Sequence, residues 1–131
     1  MEKTRGFLFD RTIIEQFYFD STPEEGEIKT DFFFAPEYND EDKNKLRVYC
    51  ELKMLNKDLD KEFLKIETYS YFLISDNFGE FNPKNKTDQE IVQSSFRDIK
   101  FLANSIIRNT AMNYLDLDLS IDYDDLDAQE K

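Results

Sequence analysis

The chain has 131 residues, enough for one domain with a single core. Its 17 basic and 29 acidic residues give a formal net charge of −12, which repels the phosphates of nucleic acids and of anionic lipids. No apolar run is long enough to span a membrane, and the first residues lack the hydrophobic segment of a secretory signal. We therefore expect one acidic, soluble, cytoplasmic domain over residues 1–131 that binds neither nucleic acid nor membrane.

The composition also argues against catalysis. The chain has no histidine, so the commonest general base and the commonest zinc ligand are both missing. Its three glycines do not cluster into a phosphate-binding loop. The single cysteine, Cys50, has no partner for an internal disulfide and no histidine to activate it. We expect a buried structural thiol, no cofactor, no metal site, no catalytic residue and no enzymatic activity.

Four stretches have the composition and alternation of β-strands. The first is dense in Phe, Ile and Tyr and is expected to bend near Asp10-Arg11. The third alternates apolar and polar residues, and a short polar turn joins it to the fourth, which predicts an antiparallel hairpin. On the fourth strand, the pattern puts Leu64, Ile66, Thr68, Ser70 and Phe72 on one face and Phe63, Lys65, Glu67, Tyr69, Tyr71 and Leu73 on the other. The predicted strands are Phe7 to Phe19, Ile28 to Phe34 (ended by Pro36), Leu46 to Leu55 and Phe63 to Ile74.

The hydrophobic period then changes to that of a helix. Thr87 and Glu90 match a capping box, which predicts a helix from about Asp88 to Asn113. Beyond it, Tyr114 to Tyr123 alternates again, and the polar end, Asp124 to Lys131, is expected to fray. The apolar stripe of the helix is Val92, Phe96, Ile99, Ala103, Ile106 and Thr110. The sequence therefore predicts an α+β domain: a four-stranded antiparallel sheet, one long helix and an extended acidic tail.

The acidic residues of the tail have the spacing of a calcium-binding EF-hand loop. These positions are Asp116, Asp118, Ser120, Asp122, Asp124 and Asp127. However, Ile121 stands where that loop needs glycine, and the apolar residues in between favour an extended segment with one buried face. Pairs such as Asp124-Asp125 and Glu24-Glu25 lie in charged runs and indicate solvated surface charge.

Aromatic residues occur on both faces of the predicted strands. A single helix covers only one face of a four-stranded sheet, so the other face is expected to meet a second subunit, a client polypeptide or both. The residues concerned are Phe17, Tyr18, Phe19, Phe32, Phe33, Phe34, Tyr69, Tyr71 and Phe72.

Two passages resemble the bacterial export chaperone SecB and its wider SecB-like family. The first is Phe7-Leu8-Phe9-Asp10-Arg11 running into Gln16-Phe17-Tyr18-Phe19-Asp20. The second runs from Ile106-Ile107-Arg108 to Leu117-Asp118-Leu119-Ser120-Ile121-Asp122-Tyr123-Asp124-Asp125-Leu126, where the family has a Leu-Asn-Leu…Val-Asn-Phe-Asp loop after its long helix. The resemblance covers residues 7–126, although the usual loop prolines and the family's second helix, which covers a groove, are missing.

The resemblance implies a homo-oligomer, a dimer or tetramer, whose apolar grooves hold unfolded polypeptide without ATP. Asp20 matches an acidic position that in SecB faces the translocation ATPase SecA, whereas Gln16 replaces another, and Lys65 or Glu67 falls near a third. The leading hypothesis is a SecB-like chaperone or adaptor for nonnative polypeptide. The alternative is a dedicated protein-interaction module that uses the acidic tail. The residues expected to bind peptide are Phe17, Phe19, Phe32, Phe34, Tyr69 and Tyr71.

Overall fold

The computed structural model describes residues 6–20, 27–57, 60–76 and 78–108. Four strands precede one helix: β1 (Phe7–Phe19), β2 (Ile28–Tyr38), β3 (Lys45–Asn56), β4 (Lys61–Ile74) and α1 (Lys86–Arg108). The strands form one antiparallel sheet in the order β1-β4-β3-β2, so β1 and β2 are its edges. The predicted α+β layout is confirmed. The predicted end of the helix, the alternating segment and the acidic tail lie outside the described residues, and so do the EF-hand spacing and Glu24-Glu25.

The hydrophobic core lies between α1 and one face of the sheet, which we call the inner face. β3 and β4 alternate buried and less buried residues as the period of two predicts. From the helix, Phe96 is fully buried and meets Phe32 edge-on, with ring centroids 5.1 Å apart. The largest fully buried side chains are Phe34, Phe63, Phe72, Phe78, Phe96, Leu46, Leu52, Met54, Leu64, Ile66, Ile91 and Ile99.

Two β-bulges change the alternation of β1. Its register with β4 shifts between Phe9 and Arg11 and again between Ile14 and Gln16. Each bulge inserts one residue, Asp10 or Glu15, and the residues after it move to the opposite face. The first bulge accounts for the predicted bend. The residues of β1 that share the inner face are Phe7, Phe9, Thr12, Ile14, Phe17 and Phe19.

Two strand predictions are wrong. β2 does not end at Pro36 but continues to Tyr38, with Pro36 opposite Val48. Proline fits there because an edge strand needs no ladder hydrogen bond on its free side. Phe63 does not lie with the polar residues of β4 but is fully buried, because the register between β3 and β4 shifts after Met54.

The predicted capping box is also wrong, because the residue that caps α1 is Asn85 and not Thr87. Its side-chain oxygen accepts hydrogen bonds from the backbone N–H of Thr87 at 2.9 Å and of Asp88 at 3.4 Å, as an N-cap does. Asp88, fully buried in the first turn, accepts a hydrogen bond from the backbone N–H of Asn82 at 2.6 Å. The preceding loop is thereby fastened to the start of the helix.

The helical stripe is largely as predicted. Ile91, Ser95 and Ile107 are additional buried positions, while Ile106 packs only partly against the core. Thr110 lies outside the described residues. The predicted members that are buried are Val92, Phe96, Ile99 and Ala103.

Cys50 lies in the middle of the inner face of β3. It is fully buried between Phe34 on β2 and Thr68 on β4, its partners in the sheet register. Burial raises the pKa of its thiol far above the ordinary value. Cys50 is therefore an unreactive structural thiol, as the sequence predicted.

A candidate polypeptide-binding face of the sheet

The sheet face opposite α1, which we call the outer face, has no covering element among the described residues. Residues paired between neighbouring strands point to the same side, so the outer face consists of rows that cross all four strands. In the order β1, β4, β3, β2, these rows are Arg11, Tyr71, Arg47, Glu37; then Ile13, Tyr69, Tyr49, Ala35; then Gln16, Glu67, Glu51, Phe33; and then Tyr18, Lys65, Lys53, Asp31.

An aromatic patch occupies the centre of the outer face. The rings of Tyr49 and Tyr69 lie 5.5 Å apart between centroids, and Phe33 meets Tyr49 at 5.9 Å. The Arg47 guanidinium lies 4.4 Å from the centroid of Tyr69, a cation–π contact. Ile13 continues the patch onto β1 and is 40% exposed. The patch is therefore a flat, half-buried apolar surface that spans the sheet.

Four charged side chains form an ion-paired cluster beside the aromatic patch. Glu51 faces Glu67 across β3 and β4, and Lys53 faces Lys65 in the next row. Like charges directly opposite each other are destabilising, but each glutamate has its own lysine two residues away, with N–O distances of 3.2 Å for Lys53–Glu51 and 3.1 Å for Lys65–Glu67. The Tyr49 hydroxyl adds a hydrogen bond to Glu51 at 2.8 Å.

Within this cluster, the surroundings of Glu67 and Tyr49 shift their pKa values in opposite directions. Burial by itself raises the pKa of the Glu67 carboxyl, but hydrogen bonds from Lys65 and Tyr49 outweigh it, so the pKa lies below its ordinary value. Burial, followed by the hydrogen bond to Glu51, raises the pKa of the Tyr49 phenol. Glu67 therefore stays ionised and Tyr49 stays a neutral donor, so this pair does not suit acid–base catalysis.

The lowered pKa of Glu67 predicts a pH dependence of stability. A carboxyl whose pKa is lower in the folded than in the unfolded chain stabilises the fold above its unfolded pKa of about 4.3, and the stabilisation is lost as pH falls through the folded value. We expect Glu67→Gln to reduce the loss of stability between about pH 5 and pH 3. Urea unfolding across this range measures the slope. The exposed Glu90 of α1 supplies the control, Glu90→Gln, and equal slopes for both variants would contradict the prediction.

The six residues predicted to bind peptide do not lie together. Tyr69 and Tyr71 are on the outer face, whereas the four phenylalanines are on the inner face. Phe34 is fully buried against Phe81 and Phe96, while Phe19 and Phe32 are partly buried. Phe17 is 47% exposed beside Ile14, which is 52% exposed, at the margin of the inner face. The peptide-binding role of all six stays a prediction.

Asp20, the predicted partner-binding residue, directly follows β1. Its carboxylate lies 3.4 Å from the Lys61 ammonium, and its backbone N–H donates to the carbonyl of Phe63 at 2.8 Å. The nearby Gln16 lies on the outer face opposite Glu67 of β4, and Asp20 lies at the end of the edge strand β1. The partner role of Asp20 remains a prediction.

A pocket of about 550 Å³ opens at the end of the outer face next to the first bulge of β1. Sequence reasoning missed its charged residues, because the bend predicted near Asp10-Arg11 does not by itself reveal that Arg11 lies opposite Tyr71. Its lining includes Asp10, Arg11, Glu37, Lys45, Arg47 and Tyr71.

Over the described ranges, no group of cysteine, aspartate and glutamate side chains is arranged to hold a metal ion. None of the helix that the structure describes is apolar enough over a sufficient length to cross a membrane.

Comparison with solved structures identifies the fold as SecB-like. The Mycobacterium tuberculosis SecB-like chaperone Rv1957, solved in complex with a ChAD peptide from the Rv1956 HigA1 antitoxin, has a TM-score of 0.50 and 17% identity, over 88% of this chain and 91% of that chain. A Streptococcus agalactiae protein of unknown function has a TM-score of 0.52 and 13% identity, over 91% of this chain and 100% of that chain. No protein-family model and no curated protein matches the sequence. At these identities the likeness defines the fold alone.

Proposed function

We propose that the protein is a SecB-like chaperone or adaptor that holds nonnative polypeptide on its outer face without ATP. The observation that carries the proposal is the aromatic patch of Phe33, Tyr49, Tyr69 and Ile13, which no described element covers. The likeness to a chaperone solved with a bound peptide supports the same role.

The physical chemistry of the patch suits clients of varied sequence. Apolar surface removed from water contributes roughly 25 cal/mol per Å² whatever the order of the client's residues. Tyr49 and Tyr69 already contact each other, and Arg47 lies over Tyr69, so little side-chain entropy is lost when a client covers them. Neither ring needs a particular hydrogen-bonding partner from the client.

The charges around the patch neither attract nor repel a client strongly. The four rows of the outer face contain four basic side chains and four acidic ones, so they carry no net charge. The excess negative charge of the −12 chain therefore lies elsewhere on the molecule. Binding on the outer face is accordingly expected to depend on apolar contact and not on long-range attraction.

A salt titration tests the proposal. For an unfolded client of near-neutral charge, we expect the Kd to change by less than about threefold between 0.05 and 1 M NaCl, since salt screens charges and not apolar contacts. Calorimetry at several temperatures is expected to give a negative ΔCp. A steep fall in affinity with salt, and its loss on deletion of residues 124–131, would overturn the proposal. That outcome would favour the interaction module that uses the acidic tail.

Three further features belong to this proposal. Assembly into a dimer or tetramer and a contact between Asp20 and SecA are implied by the resemblance to the SecB-like family, and a cytoplasmic location is expected from the sequence, which lacks a secretory segment at its start. Each remains a prediction. The proposed function itself is non-catalytic and needs no cofactor.

A further inference from the structure

The pocket at the end of the outer face holds an arginine whose hydrogen-bonding capacity is unused by the described residues. The Arg11 guanidinium lies 5.1 Å from the centroid of Tyr71, and no described carboxylate forms an ion pair with it. Arg47, on the other side of Tyr71 in the same row, is occupied: its Nε and a terminal nitrogen donate to Glu37 at 3.1 and 2.5 Å. Of the two arginines that flank Tyr71, only Arg11 is free to bind an acceptor.

The ion pairs around the pocket leave the Arg11 guanidinium open to an anion. The pocket is lined by three basic side chains, Arg11, Lys45 and Arg47, and by two acidic ones, Asp10 and Glu37, which gives a net charge of +1 in a chain of −12. Within this set, Glu37 is bound by Arg47, and Lys45 lies 3.8 Å from Asp42 outside the pocket. An anion therefore meets Arg11 with only Asp10 competing nearby.

We propose that this pocket binds a carboxylate of the held polypeptide, with Arg11 donating two parallel hydrogen bonds. A guanidinium matches a carboxylate in this bidentate geometry, and the cation–π contact with Tyr71 favours the observed position of the Arg11 side chain before the ligand arrives. Leu73, 47% exposed at the pocket, offers apolar contact to the residue that carries the carboxylate. The inference rests on the proposed function and adds a preference for clients with a carboxylate next to an apolar residue.

The test uses four labelled, apolar ten-residue peptides in two matched pairs. The first pair has one sequence and ends in either a free carboxylate or an amide. The second pair ends in an amide and carries either a single internal glutamate or a single internal glutamine. Fluorescence anisotropy measures each Kd with the full chain at 0.1 M NaCl. We expect at least one carboxylate peptide to bind about tenfold more tightly than its neutral match. The pair that shows the difference tells whether the α-carboxylate or a side chain is bound.

Arg11→Ala is expected to abolish that tenfold preference while the neutral peptides bind within twofold of wild type. Arg11→Gln, which keeps the length of the side chain, is expected to do the same and guards against a folding defect in the alanine variant. The matched control is Arg97→Ala, because Arg97 of α1 also lies over an aromatic ring, 5.2 Å from the centroid of Phe9. That variant is expected to retain the preference.

The outcomes separate the two proposals. Equal affinity for carboxylate and neutral peptides, or an equal loss of preference in Arg97→Ala, overturns the carboxylate pocket and leaves the chaperone function standing. If the wild-type chain binds none of the four peptides, the proposed function is overturned and the pocket assignment with it.

Discussion

Replacing Phe96 by alanine is expected to lower the free energy of unfolding by about 3–5 kcal/mol, because truncating a fully buried phenylalanine removes its transfer energy and leaves a cavity. Phe96 is 0% exposed and packs against Phe32 and Phe34 at centroid distances of 5.1 and 6.2 Å. A domain of this size has roughly 5–15 kcal/mol of stability. The variant is therefore expected to keep only part of its fold stability, measured by urea unfolding monitored by circular dichroism.

The same helix provides the control for this prediction. Phe101 is 75% exposed, so Phe101→Ala is expected to change the free energy of unfolding by less than about 0.5 kcal/mol. Both variants remove the same ring from α1, and they differ only in burial. Similar losses for the two would contradict the packing of α1 on the inner face.

Replacing Tyr69 by alanine is expected to weaken client binding about 30-fold, the effect of removing about 2 kcal/mol at a binding hot spot. Tyr69 is the centre of the aromatic patch, between Tyr49 at 5.5 Å and the Arg47 guanidinium at 4.4 Å. Its loss removes apolar area from the outer face and frees both neighbours to move. Anisotropy with an unfolded, near-neutral client measures the change, after circular dichroism has established that the variant is folded.

Two controls separate binding from general damage. Tyr69→Phe keeps the ring and loses only the hydroxyl, so the affinity is expected to stay within about threefold of wild type, since the proposed contact is apolar. Phe101→Ala removes an exposed ring from α1, away from the outer face, and is expected to leave binding unchanged. If Phe101→Ala weakens binding as much as Tyr69→Ala, the client does not use the outer face.

The elements of the fold are predictable from the sequence because their hydrophobic periods are clear. β3 alternates over nearly its whole length, and the helical stripe from Val92 to Ala103 is buried as its spacing predicts. The failures lie where one local contact overrides the pattern. Asn85 caps α1 in place of Thr87, and a register shift after Met54 turns Phe63 into the core.

The candidate site is less predictable than the fold because it depends on register. Tyr69 and Tyr71 stand out in the sequence as aromatic residues of one strand face. Nothing in the sequence pairs Tyr71 with Arg11, since that pairing requires the first bulge of β1 to shift every later residue by one position. The pocket therefore emerges only when the four strands are in register.

The burial of Cys50 gives the molecule an internal indicator of its own opening. Cys50 is the chain's single cysteine and is fully buried in the core beside Ser95 of α1, so a thiol reagent reaches it only in molecules whose core has opened. When reclosing is faster than the chemical reaction, the modification rate is proportional to the population of the open form. The wild-type chain thus reports whether a client held on the outer face raises or lowers the population of the open form, without an engineered cysteine.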